Sequence, residues 1–206
     1  MPEIIKQWRP KIVHISCEWR YSDTDKIYQE AAGSGLIYKE SSSDFFILTN
    51  NHVLTINNKY TPKFCDITFP GIEQKLRIVD DGPKLSFRHS KAGFDYGLIV
   101  VYYPNDYINQ FSEYFSRCSG EPDLGDKIII LGYPGIGSQT DITVTEGIIS
   151  GYDGDYYITS AKIEHGNSGG AAILLKDNCY LGIPTYTVTG EVESLARILK
   201  GDKVGY

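Results

Sequence analysis

The 206-residue sequence has no long hydrophobic run, few cysteines and no excess of positive charge. No stretch approaches the roughly 18 apolar residues that a membrane-spanning helix needs. With 20 Lys and Arg against 26 Asp and Glu, the net charge is −6, which disfavours nucleic acid or an anionic membrane as a main partner. The N-terminus also lacks the apolar core of a secretory signal. We therefore expect a cytoplasmic protein that binds neither nucleic acid nor membrane.

The four cysteines are scattered along the chain, at Cys17, Cys65, Cys118 and Cys179. No CxxC pair is present, so the usual ligand spacing of a zinc site is missing. HExxH, P-loop and GxGxxG motifs are missing too. A disulfide framework is typical of much smaller secreted domains. We expect free buried thiols, no metal and no cofactor.

The composition is that of a globular domain, 41% hydrophobic and 22% charged. Its 21 glycines and 9 prolines punctuate short runs rich in Ile, Val, Phe and Tyr, such as Phe45 to Thr49 and Lys127 to Gly132. This pattern predicts an all-β fold in two halves, residues 1–103 and 123–190, joined by a connector over 104–122. Near the end, i, i+3, i+4 apolar spacing before Gly201 predicts a C-terminal helix within 191–206; its residues are Glu193, Leu195, Ala196, Ile198 and Leu199.

One glycine-rich segment, Gly166-Asn167-Ser168-Gly169-Gly170, surrounds a serine with residues that permit a sharp turn. A serine hydroxyl is a poor nucleophile near neutral pH and needs a base within hydrogen-bond reach. Of the four histidines, His52 follows the apolar run that ends at Thr49, where a strand end can aim a side chain into a cleft. His14, His89 and His165 have no such placement. Asp95 begins another strand-like run and supplies an orienting carboxylate.

At these residues the sequence resembles the chymotrypsin-like serine peptidases, and more closely their HtrA/Deg branch. That branch carries a Gly-Ser-Gly strand, a Leu-Thr-Asn-x-His-Val segment, an Asp-led hydrophobic strand and Gly-Asn-Ser-Gly-Gly. Here they stand in the same order at Gly33 to Ile37, Leu48 to Val53, Asp95 to Val100 and Gly166 to Gly170. The resemblance covers about residues 11–199. It implies one trypsin-like domain of two six-stranded antiparallel β-barrels, with the active site between them and the predicted helix at the end.

The resemblance implies a serine endopeptidase with a His-Asp-Ser triad and an acyl-enzyme intermediate. Ser168 attacks the peptide carbonyl, His52 acts as general base and then acid, and Asp95 orients the imidazole. The backbone N–H groups of Gly166 and Ser168 form the oxyanion hole. The alternative is a catalytically silent or latent scaffold that serves as a binding or regulatory subunit.

Asn167 departs from the digestive members of the family, in which an aspartate before the serine pairs with a newly cut N-terminus. An asparagine cannot form that ion pair, so we expect no need for N-terminal zymogen cleavage.

By the same resemblance, the substrate pocket is lined by six residues: Lys162, Ile163, Thr185, Tyr186, Thr187 and Val188. An apolar, β-branched wall suits a small or medium aliphatic residue before the scissile bond. Lys162 supports the rival preference for an acidic residue, but a buried unpaired lysine is costly and this side chain can reach solvent instead.

The partners implied are protein or peptide substrates. HtrA/Deg proteins append PDZ domains, for which the sequence after the pocket has no room. Three arrangements stay open: a free-standing peptidase, a fragment of a longer protein, and the protease component of a larger assembly or homo-oligomer that supplies recognition.

Overall fold

The computed structural model describes residues 1–39, 44–56, 60–72, 75–79, 85–89, 93–102, 115–134, 141–185 and 195–204. The first half begins with a short helix and a 3₁₀ turn and continues mainly as strands. Its elements are α1 Pro2–Trp8, the turn Arg9–Lys11, β1 Ile12–Arg20, β2 Ile27–Lys39, β3 Asp44–Thr49, α2 Asn51–Leu54, β4 Phe64–Thr68, β5 Lys75–Ile78, β6 Leu85–His89 and β7 Gly97–Tyr102. The strands form one seven-stranded antiparallel sheet in the order β5-β4-β1-β2-β3-β7-β6.

The second half is a closed six-stranded barrel in the order β10-β13-β12-β11-β8-β9. Its strands are β8 Lys127–Gly132, β9 Thr143–Asp153, β10 Tyr156–Thr159, β11 Ala171–Leu174, β12 Cys179–Thr185 and β13 Ala196–Lys200, followed by a 3₁₀ turn at Gly201–Lys203. The predicted all-β class with a barrel on each side of a site is confirmed in this form: one closed barrel and, among the described residues, a half-barrel sheet. The connector predicted over 104–122 is described only from residue 115. No helix among the described residues is long and apolar enough to cross a membrane.

Three buried clusters explain why the strands pack as they do. In β1, Val13, Ile15, Cys17 and Trp19 alternate with partly exposed residues, and they enter the core of the first half. A second cluster fills the barrel. The third draws members from both halves, for example Leu36 and Leu98 from the sheet and Leu131 and Ile183 from the barrel. The two halves therefore share a continuous apolar interface, which fixes the cleft between them.

The predicted C-terminal helix is wrong, because residues 196–200 form strand β13 between β10 and β12. Ile198 lies in the barrel core, whereas its neighbour Leu199 lies in the cluster shared by the two halves. Successive side chains of a strand point to opposite faces. Two adjacent apolar residues therefore suit a strand buried on both sides, although the same spacing also fits a helix. Residues 191–194, where the helix was expected to begin, lie outside the described residues.

The predicted free thiols are also wrong, because the four cysteines form two disulfides, Cys17–Cys65 and Cys118–Cys179. Cys17 and Cys65 face each other directly in the β1–β4 register. Cys118 is brought to Cys179 by the backbone bond from Cys118 N–H to Tyr180 O. Disulfides persist mainly in oxidising compartments. The cysteines therefore no longer support a cytoplasmic location, which stays an untested prediction.

We expect these pairings in the folded protein. Peptide mapping without reduction, after free thiols are blocked, should recover the two linked pairs and no unpaired cysteine. Replacing Cys17 and Cys65 together by alanine should lower the free energy of unfolding by about 2–4 kcal/mol, because the cross-link restricts the unfolded chain. Alkylation of any of the four thiols in the native, unreduced protein would contradict the assignment.

Candidate active site

A one-turn helix presents His52 at the surface. In α2, Val53 and Leu54 are buried, whereas the His52 side chain is 51% exposed. The apolar side chains anchor the turn against the sheet, so that the imidazole is left at the edge of the cleft. Sequence and structure agree on this placement at the end of a strand.

Asp95 binds His52 through both carboxylate oxygens. Oδ1 accepts a hydrogen bond of 3.1 Å from the His52 backbone N–H, and Oδ2 lies 2.7 Å from Nδ1. An ionised carboxylate only accepts hydrogen bonds, so Nδ1 carries the proton in the neutral ring and Nε2 keeps its lone pair. The carboxylate thus sets the imidazole tautomer needed by a base.

The Ser168 loop is shaped by two glycines with positive φ. Gly166 has φ +99° and Gly169 has φ +86°, a region that residues with a Cβ rarely adopt. Backbone bonds of 3.0 Å from Asn167 N–H to Glu164 O and from Gly170 N–H to Asn167 O close two successive tight turns, the second of which contains Ser168. The glycine-rich sequence therefore does form the predicted sharp turn, and it holds Ser168 at 4% exposure.

The loop packs directly against the elements that carry His52. The Ser34 N–H on β2 donates to Ser168 O at 2.7 Å. A Cβ on Gly169 would overlap Ser34 O and Thr49 Oγ1, with Asn50 N next at 3.0 Å. Since Thr49 ends β3 and Asn50 precedes α2, the Ser168 loop lies beside the start of the His52 helix. No hydrogen bond joins Ser168 Oγ to His52 among the described residues; in ligand-free sites such bonds commonly tighten only when substrate binds.

Two backbone donors remain available next to the serine. Within the described part of the chain, the N–H groups of Gly166 and Ser168 donate to no other group. An oxyanion hole requires donors of this kind that are not already engaged.

The predicted pocket is described only in part. Ile163 is 6% exposed and packs in the barrel core, while the Lys162 side chain is exposed. Thr185 ends β12, where its Oγ1 accepts a hydrogen bond of 3.1 Å from Asn50 Nδ2. Tyr186, Thr187 and Val188 lie outside the described residues.

Sequence reasoning missed Asn50 as a structural link in the site. Its buried Nδ2 donates to Asp95 O at 2.6 Å as well as to Thr185, so it joins the carboxylate residue to the barrel. Asn50 stands at the N-cap of α2 without capping it through its side chain. The backbone N–H of His52 bonds to Asp95 instead. Nothing in the local sequence distinguishes this role from an ordinary asparagine cap.

Two other histidines, His14 and His165, are described with their side chains. His14 on β1 packs its ring 5.6 Å from that of Tyr133. Burial lowers the pKa of His14, and Lys75 lowers it further. His165 is exposed in the Ser168 loop. His52 is the histidine whose ring contacts the Asp95 carboxylate, at 2.7 Å, on the element beside the serine loop.

A model of the trypsin-like peptidase domain family matches residues 33–183, which is well over half of the chain. The chain therefore belongs to the trypsin-like peptidase domain family, a family of serine peptidases.

Curated relatives agree with this family. The chain is 28% identical to the serine protease Do-like HtrA of Lactococcus lactis over 82% of this chain and 40% of that protein. It is 26% identical to the HtrA of Bacillus subtilis over 89% and 40%, and 28% identical to the serine protease HTR4 of Rattus norvegicus over 92% and 36%. The chain thus spans about two-fifths of the length of these relatives. A crystal structure of Rv3671c protease in an inactive form has the same fold, with a TM-score of 0.65, 19% identity, and coverage of 98% of this chain and 89% of that one.

Proposed function

We propose that this domain is a serine endopeptidase that cleaves proteins or peptides with His52, Asp95 and Ser168. The observation that carries the proposal is the two-point contact of Asp95 with His52 beside the Ser168 loop. Nε2 of His52 takes the proton of Ser168 Oγ as that oxygen attacks the carbonyl carbon. The same proton then passes to the leaving amine, and water releases the acyl group by the reverse sequence.

The free N–H groups of Gly166 and Ser168 stabilise the negative charge that develops on the carbonyl oxygen. Donors fixed by a tight loop need no rearrangement when charge develops, and one such donor commonly contributes about 3–4 kcal/mol. The turn bonds beside these donors hold part of the loop backbone in place, with Gly166 at a positive φ.

Two substitutions test the triad. Ser168→Ala should abolish both hydrolysis of a fluorogenic peptide and labelling by a serine-reactive phosphonate. Asp95→Asn should lower kcat by about 10⁴-fold, the loss known for this change in the same fold family, because an amide favours the wrong tautomer. Asp25→Asn is the matched control, since Asp25 is 71% exposed and pairs with Arg20 between β1 and β2. A wild type with neither labelling nor hydrolysis would favour the alternative of a silent or latent scaffold.

We propose that cleavage needs no new N-terminus. Asn167 is 2% exposed, and its Oδ1 has no hydrogen-bond partner among the described residues. A Cβ on Gly132 would lie only 2.8 Å from that oxygen. A neutral amide tolerates this enclosed position without a counter-ion, whereas a carboxylate there would require one.

The expected result is equal activity with and without an N-terminal extension. A cleavable tag ahead of Met1 should leave kcat and KM unchanged, and N-terminal sequencing should show that the active protein keeps the tag. Activity that appears only after the tag is removed would contradict this proposal.

We propose a preference for a small or medium aliphatic residue before the scissile bond. The exposure of Lys162 supports this choice, because a lysine directed to solvent contributes little to a buried acidic pocket. Ile163, a buried member of the barrel core, supplies the proposed apolar wall of the pocket.

A peptide library varied at this position tests the preference. We expect the highest kcat/KM for Ala, Val and Leu, and lower values for Asp and Glu, whose desolvation is costly in an apolar pocket. Lys162→Glu is the variant that tests the rival hypothesis, a preference for an acidic residue before the scissile bond. Best cleavage after Asp and Glu in the wild type, lost in Lys162→Glu, would establish the acidic preference.

Substrate recognition beyond this pocket is proposed to come from other parts of a longer protein or from an assembly. The chain matches only about two-fifths of its relatives. A homo-oligomer is the simplest assembly, and light scattering of the purified domain would test it.

A further inference from the structure

We infer that Ser34 is a positioning residue, whose hydroxyl sets the orientation of the nucleophile loop across the cleft between the two halves. Ser34 lies on β2 and is fully buried. This inference rests on the proposed function, because it concerns the loop that carries Ser168.

The three polar groups of Ser34 make four hydrogen bonds to the site or its borders. Its Oγ–H donates to Gly166 O at 2.6 Å, and Oγ accepts from Tyr133 N–H at 2.7 Å. Its N–H donates to Ser168 O at 2.7 Å, and its carbonyl accepts from Thr49 Oγ1 at 2.7 Å. One residue of the sheet therefore holds the nucleophile loop, the end of β8 and the strand that leads to His52.

The bond to Gly166 is the one with consequences for catalysis. It fixes the carbonyl end of the Gly166–Asn167 peptide, while the bond from Asn167 N–H to Glu164 O fixes the other end. This peptide plane lies between the two N–H groups proposed as oxyanion donors, those of Gly166 and Ser168. A glycine rotates more freely than other residues, so a contact from outside the loop is needed to hold the plane.

The surroundings leave room for the Ser34 hydroxyl and little else. A Cβ on Gly132 would lie 2.9 Å from Ser34 Oγ, and one on Gly169 would overlap the Ser34 carbonyl. The backbone around Gly132 and around Gly169 therefore lies close enough to Ser34 to form hydrogen bonds with its hydroxyl and its peptide groups. Loss of the hydroxyl leaves Gly166 O and Tyr133 N–H without this partner in a buried site.

The variant Ser34→Ala tests the inference, with Thr159→Val as a matched control. Thr159 on β10 is also fully buried, and its hydroxyl likewise donates to a backbone carbonyl, Ile148 O, and accepts a backbone N–H, that of Ala161. Each variant removes one buried hydroxyl with one donated and one accepted bond. Of the two hydroxyls, only that of Ser34 donates to the Ser168 loop, through Gly166 O.

Three quantities are measured for the wild type and both variants: the melting temperature, kcat and KM on a fluorogenic peptide, and the rate constant of phosphonate labelling. We expect similar falls in melting temperature for the two variants. Ser34→Ala should lower kcat and the labelling rate by about 10- to 100-fold, the scale of an ångström-level misplacement. Its KM should change by less than about threefold, since ground-state binding is retained.

The inference is overturned if Ser34→Ala keeps the kcat and labelling rate of the wild type, or if Thr159→Val loses as much of both. Should Ser34→Ala fail to unfold cooperatively, Ser34→Cys replaces it, because a thiol is close in size and only a weak donor. Ser34→Cys should then show the same fall in kcat with little change in KM. A Ser34→Cys variant with the kcat of the wild type overturns the inference. Phosphonate labelling of the wild type distinguishes the two hypotheses. If the wild type is labelled, an unchanged Ser34 variant overturns only the positioning role of Ser34. If the wild type is not labelled, the proposed function itself is contradicted.

Discussion

The close backbone approach between the Ser168 loop and strands β2 and β3 is the constraint on which the rest of the site depends. It is possible only because Gly169 has no side chain where Ser34 O and Thr49 Oγ1 lie. A loop from the barrel can therefore hydrogen-bond to Ser34 on β2, a central strand of the sheet. The sheet in turn carries His52 on α2 and Asp95 before β7, so this contact brings the Ser168 loop next to the elements that hold the other two residues of the proposed triad.

Two further features hold the halves in the relation that this contact requires. The apolar cluster shared by the sheet and the barrel supplies the buried apolar contact area between the two halves. The N-terminal segment adds polar links, because Trp8 Nε1 donates to Asn178 Oδ1 at 2.8 Å and Arg9 binds Asp141 through two hydrogen bonds. The Arg9 guanidinium lowers the pKa of the Asp141 carboxyl. The segment before β1 is thus fastened to the other half of the molecule.

Much of the strand pattern could be predicted, because turns and apolar runs are local signals. Lys127–Gly132 has the predicted bounds, and Asp44–Thr49 differs by one residue. The two main errors concern partners distant in sequence. The spacing of Ile198 and Leu199 fits a helix. They form a strand instead, because one side chain packs in the barrel core and the other packs in the shared cluster on the opposite face. Cys17 and Cys65 are 48 residues apart, and only the β1–β4 register places them together.

Local sequence is enough to predict the proposed chemistry: a serine among glycines, a histidine after a strand and an aspartate before another, in the order of a known family. These are local choices of residue type, and local choices can be read one segment at a time. The links that Asn50 and Ser34 make between the halves depend on the tertiary fold, because their partners in the barrel half lie from 99 to 135 residues away along the chain. Hydrogen bonds across a folded interface depend on which backbone groups the packing brings within about 3 Å, and no sequence pattern encodes that distance directly.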